Sequence, residues 1–160
     1  MRRMPLMIVA CCAGLCSAVA AADRPAEQLA TETPPEKTFA DLHAMQGRWT
    51  REFTNRQGAV FRGEKTIDGN RDSVTELDAN GNRVYAHICT FELKIDGKVR
   101  ILTFSNVAVT AGPNLGARIP GPRSFIYKLD GDTMYEIWGL LDGDTGPPLI
   151  YAWKRIKDKP

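Results

Sequence analysis

Phe125-Ile126-Tyr127-Lys128-Leu129-Asp130-Gly131-Asp132-Thr133-Met134-Tyr135-Glu136-Ile137-Trp138 is the stretch whose reading decides the fold. Asp-Gly at its centre suits a tight hairpin, because both residues tolerate the positive φ that such turns demand. Aromatic and β-branched residues on either side are strand formers. The same punctuation recurs at Arg56-Gln57-Gly58, Asp68-Gly69-Asn70, Asn80-Gly81-Asn82, Asp96-Gly97 and Asp142-Gly143. Between these turns the sequence predicts strands at 48–54, 59–67, 72–78, 83–95, 99–109, 124–130, 133–141 and 149–156. Eight strands joined mostly by short turns predict an all-β fold, an eight-stranded up-and-down antiparallel β-barrel whose closure removes exposed edges.

Working outward, Thr38-Phe39-Ala40-Asp41 reads as a capping box, in which a hydroxyl and a carboxylate meet free helix-start N–H groups. Phe39, Leu42 and Met45 fall at helical spacing, so a short N-terminal helix should end near Gln46. The barrel domain is therefore expected to span 38–157. One connection breaks the hairpin rhythm. Ala111 to Arg123 contains three glycines and three prolines and carries Arg118 and Arg123. Loops of about 12 residues or more are usually functional or disordered.

The amino-terminal part has another character. Arg2 and Arg3 precede an uncharged run from Met4 to Ala22 that closes on Ala20-Ala21-Ala22. This is the layout of a cleaved secretory signal peptide over 1–22, and it implies a periplasmic or secreted protein. Pro5 and the many alanines fit poorly with the about 20 clean apolar residues of a spanning helix, so no membrane span is expected after cleavage. Ile8-Val9-Ala10-Cys11 loosely fits a lipoprotein box, which gives a second, anchored reading at Cys11. Residues 23–37, with Pro25, Pro34 and Pro35 among polar residues, read as a disordered leader.

Removing 1–22 alters the arithmetic of the chain. The full sequence has 21 basic and 19 acidic residues, four cysteines and 43% hydrophobic residues. The mature part has 19 of each charge and one cysteine, Cys89. A neutral chain without a basic cluster does not point to nucleic acid. One thiol leaves no internal disulfide.

The segment Leu42-x-x-Met45-Gln46-Gly47-Arg48-Trp49, a short helix entering Gly-x-Trp, resembles the opening signature of the lipocalin (calycin) barrels. Phe125-x-Tyr127-x-Leu129-Asp130-Gly131-Asp132-Thr133-Met134 is similar to a hairpin of small bacterial lipocalin-like domains. The Thr-Asp-Tyr motif of the family is replaced here by Leu129-Asp130-Gly131-Asp132. The resemblance implies that Trp49 lies in the barrel floor with a basic residue across its ring, Arg155 or else Lys154. A guanidinium over an indole face gains cation–π energy.

Alternation puts Trp49, Arg51 and Phe53 on one face of the first strand. An inward arginine needs an anionic or hydrogen-bonding partner, either a ligand carboxylate or an internal glutamate such as Glu64, Glu76 or Glu136. Tyr85, His87, Cys89, Phe91 and Leu93 share a face of the fourth strand. His87-x-Cys89 suggests a metal pair or a nucleophile, but zinc needs three or four ligands and the other mature histidine is His43. The plainer reading makes Cys89 a small buried hydrophobe. Aspartates at 130, 132, 142 and 144 are explained by turn chemistry. Hydrolase, metalloprotease and phosphate-loop motifs are missing from the sequence, so no enzyme, cofactor or metal site is expected.

Two functions remain. The first is an exported barrel holding a small hydrophobic or amphipathic ligand among Trp49, Arg51, Phe53, Tyr85, Phe91, Phe104, Tyr127 and Trp138. The second is a barrel with a filled core that binds an envelope protein, as an inhibitor or accessory. Eight strands suffice for either interior.

Overall fold

A computed structural model describes residues 36–157. The expectations for 1–22, and for all but the last two residues of 23–37, lie outside this range. Helix α1 (Glu36–Met45) is followed by β1 (Gly47–Thr54), β2 (Val60–Asp68), β3 (Arg71–Leu77) and β4 (Arg83–Asp96). The chain continues through β5 (Val99–Ala111), β6 (Arg123–Asp130), β7 (Thr133–Trp138) and β8 (Leu149–Arg155). Every strand runs antiparallel to its chain neighbour and β8 returns to β1, giving the closed eight-stranded barrel that the turn spacing predicts.

Side-chain alternation explains the closure. On β2, Gly63, Lys65 and Ile67 are buried while Arg62 and Thr66 face solvent. A one-residue slip would exchange these two sets, so the buried face holds the register. The ladder between β1 and β8 is short, pairing only Trp49 with Arg155 and Thr50 with Lys154. Strand β5 bends at Asn106, whose φ is 56°, opposite a register shift between Ile88 and Thr90. Below the bend β5 pairs with β6 through residues 101–104. Above it, β5 pairs with its own outgoing loop. Val109 N–H donates to the Ala117 carbonyl and Ile119 N–H to the Val107 carbonyl, both at 2.9 Å. The long connection is thus a flap laid along β5, with Ile119 turned toward the interior.

The helix closes one end of the barrel. Trp49 Nε1–H donates to the Met45 carbonyl at 2.9 Å, and Met45, Trp49 and Met134 are fully buried there. Arg155 lies over the Trp49 ring at 4.0 Å and donates to the carbonyls of Gln46 and Ala44 at the helix C-terminus. Lys154, the alternative partner, instead donates to Thr133 Oγ1. Gly47 makes the corner from helix to strand at φ 107°, where a Cβ would also lie 3.4 Å from the Arg155 guanidinium.

Three local expectations are corrected. The capping box does not form, because α1 already includes Thr38 and Asp41. Asp41 instead accepts from Tyr127 Oη at 2.9 Å and pairs with Arg100 at 3.3 Å, and the buried Thr38 hydroxyl has no partner. Phe39 is 67% exposed; the inward stripe is Thr38, Asp41 and Met45. Strand β7 stops at Trp138 rather than 141, because Asp144 Oδ2 accepts the N–H groups of Gly139 and Leu141 and turns the chain there.

Arg155→Ala removes the charged donor to two helix-end carbonyls and uncovers the Trp49 ring. Urea unfolding should register a loss of about 2–3 kcal/mol. Arg155→Lys should recover only part of it, because an ammonium lacks the planar fork. An alanine variant as stable as the wild type would contradict this role for Arg155.

Candidate functional site

Above the floor, the inward faces of β2, β3 and β7 bring charged side chains into the middle of the barrel. Lys65 is 2% exposed, with Nζ 2.9 Å from Asp72 Oδ2 and in hydrogen-bonding contact with Glu136 Oε1. Glu136 uses its second oxygen to accept Trp153 Nε1–H at 2.9 Å. The ammonium also lies 4.8 Å from the Trp153 ring centre and 5.1 Å from that of Phe104. Register explains the meeting on β2 and β3. Lys65 is paired with Val74, so Asp72, two residues earlier on the same face, is its diagonal neighbour.

Arg51 forms a second charged pair. Its guanidinium is 3.3 Å from Glu76 Oε1 and stacks over Phe53, Tyr151 and Trp153 at 4.6, 4.2 and 4.7 Å. Gly63, opposite Arg51 on β2, makes that stack possible. A Cβ at Gly63 would come within 3.1 Å of Arg51 Cγ and 3.2 Å of the Trp153 ring. Arg51 therefore has the internal glutamate partner, and among the three candidates it is Glu76.

Between these two pairs lies a cavity of about 200 Å³. Its walls include Phe104, Phe125, Tyr151 and Trp153, and its polar lining includes Arg51, Lys65, Asp72, Glu76, His87 and Glu136. Three buried polar atoms among these residues lack a hydrogen-bond partner: Arg51 Nε, a donor, and Asp72 Oδ1 and His87 Nδ1. Asp72 is paired with Cys89 across the ladder, which makes His87 its diagonal neighbour on the same inward face. Arg123, at the start of β6, stands at the rim.

Burial sets the electrostatics. It works to lower the Lys65 pKa, but the charges of Asp72 and then Glu136, with their hydrogen bonds, outweigh it and leave Lys65 raised. Burial raises the Asp72 carboxyl against the pull of Lys65, and Glu136 raises it further. Desolvation, helped by Lys65, lowers His87 to about 4, so it is a neutral imidazole near neutral pH. Desolvation, then the nearby Asp72 charge, pushes the Cys89 thiol up to about 12. A thiol in that state is a buried hydrophobe rather than a nucleophile. No group of three or more metal-ligating side chains occurs among the described residues.

Of the eight residues named from sequence for the ligand, Arg51, Tyr85 and Phe104 line the cavity. The other five do not. Trp49 and Tyr127 are held in the floor by Met45 and Asp41, and Phe91 packs edge-on against Phe104. Phe53 stacks on Phe61 at 5.5 Å and lies under the Arg51 guanidinium. Trp138 ends β7 beside Gly146. Lys65 and Asp72 were not singled out from sequence. The available signal was two charged residues at the apolar parity of adjacent strands, within Gly63-x-Lys65-x-Ile67 and Asp72-x-Val74. Comparison with protein-family models, with curated proteins and with solved structures returns no match.

Lys65→Met leaves Asp72 and Glu136 facing each other without their cation, which should cost about 3–5 kcal/mol near neutral pH. Asp72, raised by burial and no longer held down by Lys65, would then bind a proton more readily folded than unfolded, so the deficit should shrink as pH falls. In the wild type the sign at the alkaline end is opposite. Stability contributed by the raised Lys65 is present below its ordinary value of 10.5 and lost as pH climbs through the folded-state value. Urea titrations at alkaline, neutral and mildly acidic pH check both. A small deficit in the variant, or one that grows on acidification, would contradict the assignment.

Proposed function

We propose that this is an exported lipocalin-like barrel that binds a small amphipathic molecule in its interior. The observation that carries the reading is the aromatic-walled cavity whose lining leaves three buried polar atoms, Arg51 Nε, Asp72 Oδ1 and His87 Nδ1, without a hydrogen-bond partner. Buried polar groups normally have partners, and those that lack one call for water, an ion or a ligand. The basic start at Arg2 and Arg3, followed by the uncharged run to Ala22, supports the exported setting. Among the described residues no helix is long and apolar enough to cross a membrane.

Volume limits the ligand. Drug-sized ligands occupy pockets of about 300–1,000 Å³. A dry cavity of about 150 Å³ admits benzene. At about 200 Å³ the interior therefore suits a single-ring or similarly compact molecule, not an extended fatty acyl chain. Pairing of Arg51 with Glu76 argues against a ligand carboxylate held at that guanidinium. The alternative of an envelope-protein partner was tied to a filled core, and an interior space of this size weighs against it.

Titration with benzyl alcohol, benzylamine and benzoate, followed by NMR, tests the reading. At least one of the three should shift the Trp153 indole N–H and the Phe125 ring while leaving the Trp49 indole in the floor unmoved. No shift from any probe, or shifts of equal size at Trp49, would overturn it.

A further inference from the structure

Charge balance inside the barrel narrows the ligand class, on the proposed reading of the cavity as a binding site. The side chains of Arg51 and Lys65 are buried to nearly nine-tenths or more. Against these two buried cations the cavity carries three carboxylates, Asp72, Glu76 and Glu136, while a third lining cation, Arg123, stands at the exposed rim. Arg51 is matched by Glu76, so Lys65 answers two carboxylates alone. Glu136 has both oxygens occupied, one by Lys65 and one by Trp153. Asp72 has one occupied and one free. Its free Oδ1 belongs to a side chain that is 1% exposed and borders the cavity. The diagonal neighbour His87 has its own unpartnered Nδ1 on the same inward face.

A carboxylate oxygen accepts and never donates unless it is protonated. The occupant that completes this site must therefore offer a hydrogen to Asp72 Oδ1, and a positive charge on that occupant neutralises the buried surplus. We infer that the cavity takes a small primary amine, its ammonium seated on Asp72 Oδ1 beside His87 Nδ1 and its compact apolar body against Phe104, Phe125 and Tyr151. An ammonium has three donors, enough for Asp72 Oδ1 and His87 Nδ1; the third unpartnered atom on the lining, Arg51 Nε, is itself a donor and lies with the guanidinium paired to Glu76. His87, neutral near pH 7, can accept one of them. Arg123 at the rim is the one lining cation that opposes entry. It lies on an exposed position, where solvent and salt screen it, whereas the surplus on the Asp72 side is buried.

A proton on Asp72 is the natural competitor for the ammonium, since either one removes the surplus charge. The groups facing Asp72 are Lys65 from β2, Glu136 from β7, and His87 and Cys89 from β4; Arg51, Glu76 and Arg123 stand further around the cavity. Of these, Lys65 is already charged, and Cys89 and His87 are neutral near pH 7. Burial and Glu136 favour the protonated form of Asp72 in the empty site. Where the empty site holds that proton, amine binding should release it, and the affinity should fall as pH is lowered.

Benzylamine, benzyl alcohol and benzoate share a ring and differ in the head group, so their affinities for the intact protein at neutral pH separate the possibilities. Benzylamine should bind on the order of tenfold more tightly than benzyl alcohol, with benzoate weakest, as expected for a charge-assisted hydrogen bond. Asp72→Asn should bring the amine down to the level of the alcohol. Equal or tighter binding of the alcohol or of benzoate would overturn the inference while leaving a small-ligand cavity in place. Amine binding that is untouched by Asp72→Asn would do the same. No binding of any probe would overturn both. If Asp72→Asn fails to fold, calorimetry on the wild type in two buffers of different ionisation enthalpy takes its place. Proton release on amine binding supports the inference, and pH-independent binding without release overturns it.

Discussion

Lys65, held between Asp72 and Glu136, is the constraint around which the barrel interior is arranged. Eight strands enclose just enough space for side chains to fill, so an all-apolar sequence could close the middle completely. An ammonium flanked by two carboxylates cannot be packed that way. It needs a partner at each donor, and those partners come from strands on different sides of the barrel. Trp153 is recruited through its indole N–H, and the rings of Trp153 and Phe104 take up the remaining field of the cation. Removing charges from water costs several kcal/mol per ion even when they are paired. Such a cluster is weak ground for stability, and on the proposed reading it furnishes the binding site.

The rest of the molecule separates this polar middle from a dry floor. Below it, Trp49, Met45, Met134, Leu102 and Tyr127 are packed to near-complete burial, and Arg155 ties the last strand to the end of α1. Above it, Arg51 fills the region where the pairing of β1 with β8 runs out, stacked on three rings and tied to Glu76. On another side, the flap that follows β5 lays Ile119 over the cavity. Stability can thus rest on the floor while the middle keeps unpaired hydrogen-bonding capacity.

Much of the fold was legible in the sequence because turn chemistry is local. Asp-Gly and Asn-Gly pairs mark hairpins whatever surrounds them, and the strand ends between them follow within one residue, except that β5 runs two residues further and β7 ends three residues early. The early end of β7 depends on Asp144, whose carboxylate reaches back to two N–H groups, and side-chain reach of that kind is invisible to periodicity. The Thr38–Asp41 cap failed for a similar reason: Tyr127 and Arg100, distant in sequence, claim the aspartate. Alternation gave the correct inward face for Trp49, Arg51 and Phe53, but it does not give depth. That is why floor residues and cavity residues were grouped together as one ligand set. Lys65 and Asp72 were missed because each looks, alone, like a solvated charge on a strand. Only the β2–β3 register makes them neighbours.

The central claim is that the charged cluster keeps the interior open for a ligand at the expense of stability. A triple variant, Lys65→Met with Asp72→Leu and Glu136→Leu, tests it most directly when unfolding free energy and benzylamine affinity are measured on the same protein. Replacement of a buried charged triad by apolar residues of similar volume is often neutral or stabilising by about 1–4 kcal/mol. The account predicts a folded barrel at least as stable as the wild type that no longer binds the amine. A variant that binds benzylamine as the wild type does, or one that is strongly destabilised, would contradict it.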